Sequence, residues 1–353
     1  MFSHLDFLAI LTAFFVAKVL LVIMTPFAHQ LGLVDEPEGR KTHSGMVPLT
    51  GGVAIYGAVI IASLVTDVWF KNGSLFFTAA TLIVLLGMLD DKFDLSAKGR
   101  LLCQFGVAAI MVLAAQNYIT SLGDISGIGE VYLGLSGYFF TLICVVGVIN
   151  AFNMIDGIDG LAAGMSLIVL SSVVFLLLVT DSQAIMAPMI VIAAIVPFLA
   201  FNLSWRGFKG NKIFLGDSGS MFVGLTIVWL LVDFTQGAGA TIRPVAAIWI
   251  IGLPLMDMAA IMFRRAKKGK SMLRPDRHHL HNIFMRAGFS SRRSLAIILL
   301  MGCVYAFIGI MGELINIPAY LMFWGFLVSL VVYTLILQNI WTILRFVRTH
   351  LRR

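Results

Sequence analysis

The chain reads as long apolar runs broken by short polar stretches. A helix that crosses a hydrocarbon layer needs about 20 apolar residues. Runs that meet or approach this length fall near 5–27, 51–69, 75–90, 100–120, 135–153, 161–180, 184–203, 219–235, 244–263, 295–315 and 319–344. The pattern predicts an all-α polytopic membrane protein with about 11 transmembrane helices. It forms one integral membrane unit over residues 1–353, with loops near 28–50, 90–99, 154–160, 204–218 and 264–294 and a basic tail at 345–353. The first run lacks a small-residue cleavage site, so it reads as a span and not as a removable leader.

Composition supports a lipid-embedded chain. Only 12% of residues are charged and 59% are hydrophobic, whereas a soluble domain carries about 25% charged residues. Cys103, Cys144 and Cys303 all lie in apolar runs, which argues against a disulfide framework and against thiolate-bound zinc. If the odd-numbered gaps and the tail face the cytoplasm, that side holds 22 of the 25 Lys and Arg residues, leaving Lys71 and Arg243 outside and Lys18 within the first span. The positive-inside rule then places the N-terminus in the periplasm and the C-terminus in the cytoplasm. The net charge of +7 is accounted for by these loops beside a lipid bilayer, and no nucleic-acid partner is expected.

The same alternation brings the polar clusters to one surface. "VDEPEGRKTHSGMVPLTGG" (34–52), "LDDKFDLSAKGR" (89–100), "NMIDGIDG" (153–160), "RGFKGNKIFLGDSGS" (206–220) and "RPDRHHLHNIF" (274–284) all fall on the cytoplasmic side. Polar groups from separate segments at one membrane face are how a site is assembled between helices.

Each cluster also has a plain structural reading. Asp90, Asp91 and Asp94 stand at the C-terminal end of a span, where the helix dipole favours cations. Asp90 and Asp94 share a face at i, i+4 and with Asp91 form a repelling trio, explained either by solvation or by a hard divalent cation. Asp156 and Asp159 share a face if their turn is helical, and Gly157 and Gly160 admit a close approach; capping aspartates are the alternative. Asp217 sits between glycine-flanked positions where a span starts, a place for an N-cap or for a site that attracts anions. Phe214 reads as interfacial packing or as part of that site. The "HHLH" run on a basic loop suits a phosphate-bearing ligand better than zinc, because no cysteine accompanies it. Asp257 lies near the cytoplasmic end of its span and requires a buried partner.

Together "DDKFD", "NAFNMIDGIDG", "FLGDSGS" and the His-rich loop resemble the polyprenyl-phosphate N-acetylhexosamine-1-phosphate transferase superfamily. "GLVDEPEGRKTHSGMVPLTGG", "RPVAAIWIIGLPLMDM" and "PDRHHLHNIFMRAGFSSR" are most similar to its bacterial members. The resemblance runs from about residue 31 to 293, with one departure: the usual His-x-His-His reads His279-Leu280-His281-Asn282 here.

The resemblance implies a reaction at the bacterial inner membrane, with the active site at its cytoplasmic face. UDP-GlcNAc and undecaprenyl phosphate give GlcNAc-diphospho-undecaprenol and UMP, the first lipid-linked step of O-antigen and enterobacterial common antigen type glycans. Mg²⁺ is the implied cofactor, with Mn²⁺ as its alternative, and a homodimer is left open. Another UDP-N-acetylhexosamine as donor is the alternative within the class. The matching positions imply Asp217, Asn153, Asp90 and Asp91 at the metal and Asp90, Asp91, Asp94, Asp156, Asp159, His279 and His281 in catalysis. They further imply Arg40, Lys41, Arg274 and Arg277 at phosphates, Phe214 against uracil, and Asn153 and Asn202 at the nucleotide sugar. The acceptor, a phosphate monoester with a second pKa of about 6, is mostly dianionic at neutral pH. Direct in-line attack is therefore favoured over an aspartyl-phosphate intermediate, with cations relieving the repulsion between the two anions. A secondary transporter is the reading from another class, but its sites lie near the midplane of repeated halves, whereas these acids lie at one face.

Overall fold

The computed structural model describes residues 4–35, 45–68, 70–180, 182–205, 212–237, 239–271 and 279–350, without the side chains of 183 and 341–350. The helices are α1 (His4–Leu31), α2 (Gly51–Thr66), α3 (Gly73–Phe93), α4 (Ala97–Ala109), α5 (Ser136–Ile155), α6 (Leu161–Val179), α7 (Met186–Asn202), α8 (Gly216–Thr235), α9 (Pro244–Ile250), α10 (Gly252–Lys267), α11 (Leu280–Arg286), α12 (Ser291–Leu314) and α13 (Ala319–His350). A short antiparallel pair, β1 (Val34–Asp35) and β2 (Val47–Pro48), follows α1.

Among the described residues, eight helices are long and apolar enough to cross a membrane, α4 counted together with the π-helical turn Ile110–Ala114 that continues it, so the chain is a mostly helical polytopic membrane protein. Two shorter apolar helices, α2 and α7, and the pair α9–α10 account for the other apolar runs. The straight span expected over 244–263 is instead bent by 74° between α9 and α10. Pro254 explains the break: it has no N–H to donate, and its ring excludes the carbonyl of Ile250. Mean hydropathy is continuous across this point, so the apolar pattern alone shows no bend. The helix expected over 51–69 closes early at Thr66, because Asp67 takes a left-handed conformation with φ 55°.

The core is organised around α8. Of its apolar window 94% is buried, against 22% for α1, whose Phe15, Val22, Ile23 and Phe27 point outward. Small residues let neighbouring helices reach the α8 backbone. A Cβ added at Gly52 of α2 would lie 2.1 Å from the Gly219 nitrogen, and one at Gly87 of α3 would lie 2.3 Å from the Ser218 Cα. These two crossings seat the first turn of α8 between α2 and α3. The far end of the bundle is clasped by side chains. Gln236 accepts from the backbone N–H groups of Thr120 and Ser121, Asn117 donates to the Trp229 carbonyl, and Lys71 pairs with Asp233 at 2.7 Å. All three cysteines are free.

Candidate active site

Asp90 and Asp91 occupy the last turn of α3, Asn153 the last turn of α5, and Asp217 the first turn of α8. The close crossing at Gly87 places Asp91, one turn later, directly at the start of α8. Its Oδ1 accepts the Asp217 N–H at 2.8 Å and its Oδ2 the Ser218 N–H at 3.4 Å. The helix start that the sequence marks as anion-attracting thus takes its anion from α3.

The three carboxylates of "DDKFD" do not face one another. Asp90 is buried: its Oδ2 accepts from Arg100 Nη1 at 2.5 Å and its Oδ1 from the Leu95 N–H at 2.9 Å. Asp94 leaves the helix in a left-handed conformation with φ 48°, donates its N–H to the Asp90 carbonyl and is exposed. The i, i+4 stacking expected of Asp90 and Asp94 therefore does not form, because the helix closes first. The Arg100 nitrogen on Asp90 also stands 3.7 Å from Asp217 Oδ2. Among the sequence features this residue is only one of many loop cations, and nothing in the pattern sets it apart.

Asn153 donates to Asp217 Oδ1 at 2.7 Å and to Ser220 Oγ at 3.0 Å. One turn earlier, Asn150 donates to the buried Gln104 of α4 at 2.6 Å, which fixes the angular position of this face of α5. Asp156 caps α5, and the loop to Gly160 is not helical, so Asp156 and Asp159 do not share a helical face. The Asp156 carboxyl is recessed among the helix ends. Loss of hydration there, and then the charges of Asp91 and Asp159, push its pKa up to about 7. Asp159 pairs with Lys212 at 2.7 Å, and the Lys212 ammonium lies 4.8 Å from the centre of the Phe214 ring.

Asn202 is buried, and both ends of its amide are used by the backbone. Its Oδ1 accepts the Gly160 N–H at 2.6 Å and its Nδ2 donates to the Ile213 carbonyl at 2.8 Å. It clips the acidic loop to the Phe214 segment. Hydrogen bonds from Phe214 N–H to the Pro48 carbonyl and from Gly51 N–H to the Phe214 carbonyl hold that segment against the start of α2.

The His-rich run reaches the same place through His281. Its ring lies against Gly157, where an added Cβ would be 2.1 Å from the ring, so Gly157 admits a protein side chain. Desolvation and then the neighbouring His279 lower the His281 pKa to about 4, against an opposing pull from Asp257, so the imidazole is neutral at pH 7. Asn282, standing where the resembling family has a third histidine, makes a 2.9 Å hydrogen bond to His281 Nε2. The buried partner that Asp257 requires is His279, at 2.8 Å. Arg40, Lys41, Arg274 and Arg277 lie outside the described residues.

A cavity of about 690 Å³ lies at the other end of the bundle, lined by residues that include Thr120, Gln236, Arg243 and Glu313. Its cation is already satisfied, since Arg243 bonds Glu313 and the carbonyls of Ile317 and Gly312.

The segment from α3 to α8 that supplies the carboxylates, residues 74–235, matches the model of glycosyl transferase family 4, and the chain belongs to that family. It is 39% identical to the undecaprenyl-phosphate alpha-N-acetylglucosaminyl 1-phosphate transferase of Escherichia coli strain K12 over 98% of this chain and 94% of that protein. The enzyme of the same name from Yersinia pestis is 40% identical over 96% of this chain and 93% of its own length. The one from Pasteurella multocida is 39% identical over 98% and 97%.

Proposed function

We propose that the chain transfers GlcNAc-1-phosphate from UDP-GlcNAc to undecaprenyl phosphate, releasing UMP and starting an O-antigen or enterobacterial common antigen type glycan. The observation that carries this reading is the gathering of Asp91, Asn153, Asp156, Asp159 and Asp217 at one end of an apolar bundle. It is joined by near full-length similarity to enzymes named for that transfer. A water-soluble sugar nucleotide and a lipid phosphate meet only where the bilayer ends, and this is where the carboxylates lie.

The donor set suits Mg²⁺, with Mn²⁺ as a substitute. Hard cations take oxygen ligands, and Mg²⁺ is commonly held by one or two carboxylates together with substrate phosphates. Asp217 Oδ2 stands 3.7 Å from Arg100, its side chain lies in hydrogen-bonding contact with Asp90, and Asn153, whose Nδ2 is engaged, keeps its Oδ1. Among the described residues no three His, Cys, Asp or Glu side chains converge to hold a metal alone. Asp217 and Asn153 are therefore the residues that would hold it, with phosphate oxygens completing the set. When bound, the ion offsets charge on the diphosphate and on the departing UMP.

The protein's own groups do the rest. Asp90 holds Arg100, and Arg100 adds positive charge beside Asp217. Lys212, tethered by Asp159, brings a cation to the Phe214 ring, which in this reading stacks on uracil. Asp91 keeps both oxygens on backbone donors of α8. A nucleophilic Asp91 would have to abandon both, which favours direct attack by the lipid phosphate. Purified protein given UDP-GlcNAc and undecaprenyl phosphate is expected to release UMP and GlcNAc-diphospho-undecaprenol in equal amounts, and no UMP without the lipid. A stoichiometric UMP burst from UDP-GlcNAc alone would replace direct attack by a covalent intermediate. Turnover with only a different UDP-N-acetylhexosamine would change the donor.

The orientation proposed has eleven crossings, a periplasmic N-terminus and a cytoplasmic C-terminus in the bacterial inner membrane. Single cysteines at Ala97 and Ser271 are expected to resist membrane-impermeant maleimide in intact cells and to react after permeabilisation. Labelling of either in intact cells reverses the topology.

A further inference from the structure

Asp257 is a buried acid inside an apolar helix, α10, and its three partners come from two other elements. Its Oδ2 meets His279 Nδ1 at 2.8 Å. Its Oδ1 accepts the Leu280 N–H, in the first turn of α11, at 3.2 Å and the Tyr333 hydroxyl, from α13, at 2.9 Å. His279 and Tyr333 are buried as well. A carboxylate only accepts, so the shared proton sits on His279 Nδ1. The ring's other nitrogen, Nε2, makes no hydrogen bond to any described residue. The His279 ring lies parallel to His281, 5.7 Å between centres and 4° apart, and His281 rests on Gly157 between the acids Asp156 and Asp159. His279 is thus held on the side of the carboxylate loop, one nitrogen tied back and one open.

We propose that Asp257 and Tyr333 are positioning residues for His279. Asp257 fixes the imidazole tautomer and ring orientation, so that Nε2 is directed at the diphosphate of the sugar nucleotide, and Tyr333 fixes Asp257. The inference rests on the transferase reading above and on the fit of the His-rich run to a phosphate-bearing ligand. It gives α13 a part in catalysis although many of its large apolar side chains, such as Trp324, Val328 and Val331, face outward. The plain alternative is that the trio only anchors α11 on α10 and α13.

A double-mutant cycle separates the two. Asp257→Asn keeps shape and removes charge, and it is expected to lower kcat by about 10- to 100-fold, the usual scale for a group that orients a functional imidazole. His279→Ala should cost at least as much. The double variant should be no slower than His279→Ala alone, because Asp257 acts through that ring. Tyr333→Phe removes one hydroxyl with little risk to folding; its smaller loss of about 3-fold should vanish in the His279→Ala background. In ¹⁵N-histidine spectra the His279 ring should be Nδ1-protonated in the parent protein and change in Asp257→Asn. Losses that multiply in the double variants, with His279→Ala itself slow, would overturn the positioning role and leave the transferase reading intact. A His279→Ala protein that turns over at the parent rate would overturn the role by removing His279 from the substrate. A parent protein that makes no UMP from UDP-GlcNAc with lipid acceptor would strike the transferase reading itself.

Discussion

Asp217→Asn is expected to reduce turnover by about 10²- to 10³-fold, the scale for losing one electrostatic element that stabilises developing charge. Asparagine preserves the volume, and its carbonyl can still accept from Asn153, which now donates to Asp217 Oδ1 at 2.7 Å. The first turn of α8 therefore keeps its geometry, and what disappears is a carboxyl group that a bound cation would hold ionised. That carboxylate faces Arg100 at 3.7 Å and lies against the Asp90 side chain. The defect should lie in metal affinity. Activity should recover in part at raised Mg²⁺ or Mn²⁺, and Mn²⁺ titration followed by electron paramagnetic resonance should show weaker binding. Near-normal turnover at low metal would remove Asp217 from the site.

Gly87→Ala is expected to cost at least about 100-fold in activity, although residue 87 touches neither substrate. Its new Cβ would lie 2.3 Å from both the Cα and the nitrogen of Ser218 and 2.6 Å from the Asp217 carbonyl carbon. These are backbone atoms, so no rotamer change relieves the clash, and α3 and α8 must separate. Asp91 is one turn beyond Gly87 on the same face, and its two bonds to the start of α8 would lengthen with that shift. Displacements of about 1 Å in a catalytic constellation cost on the order of 100-fold, and overpacking typically destabilises by about 1–3 kcal/mol. Gly106→Ala is the matched control: its Cβ meets nothing within 4 Å, and parent activity and melting temperature are expected. A Gly87→Ala protein as active as that control would show that the α3–α8 crossing does not set the site.

The apolar runs are legible in sequence because lipid imposes one demand on every crossing segment, and each expected run falls on a helix or on the bent pair. The bend at Pro254 is hidden because apolar residues continue through it. The polar clusters are equally visible, since acids at span ends stand out against their surroundings. Their wiring is not. That Asp91 caps a helix 126 positions away, that Asn202 clips two loops and that Tyr333 reaches Asp257 are all facts of tertiary contact, with no local pattern to announce them. Arg100 is hidden for a different reason: a cation among many in the polar loops carries no mark of its partner.

The enclosure of α8 also bears on how the protein is made. Its mean hydropathy is 1.5, against 2.7 for the lipid-facing α1, so as a lone segment it partitions into a bilayer less readily. The helices packed against it that bury most of its surface, α2, α3 and α5, all precede it in the chain. Because a chain emerges from its N-terminal end, α8 leaves the ribosome when the walls of its berth already exist. The carboxylate of Asp91 is among them, waiting for the first N–H groups of the arriving helix. A segment poorly suited to remain alone in lipid is thus synthesised after the helices that receive it.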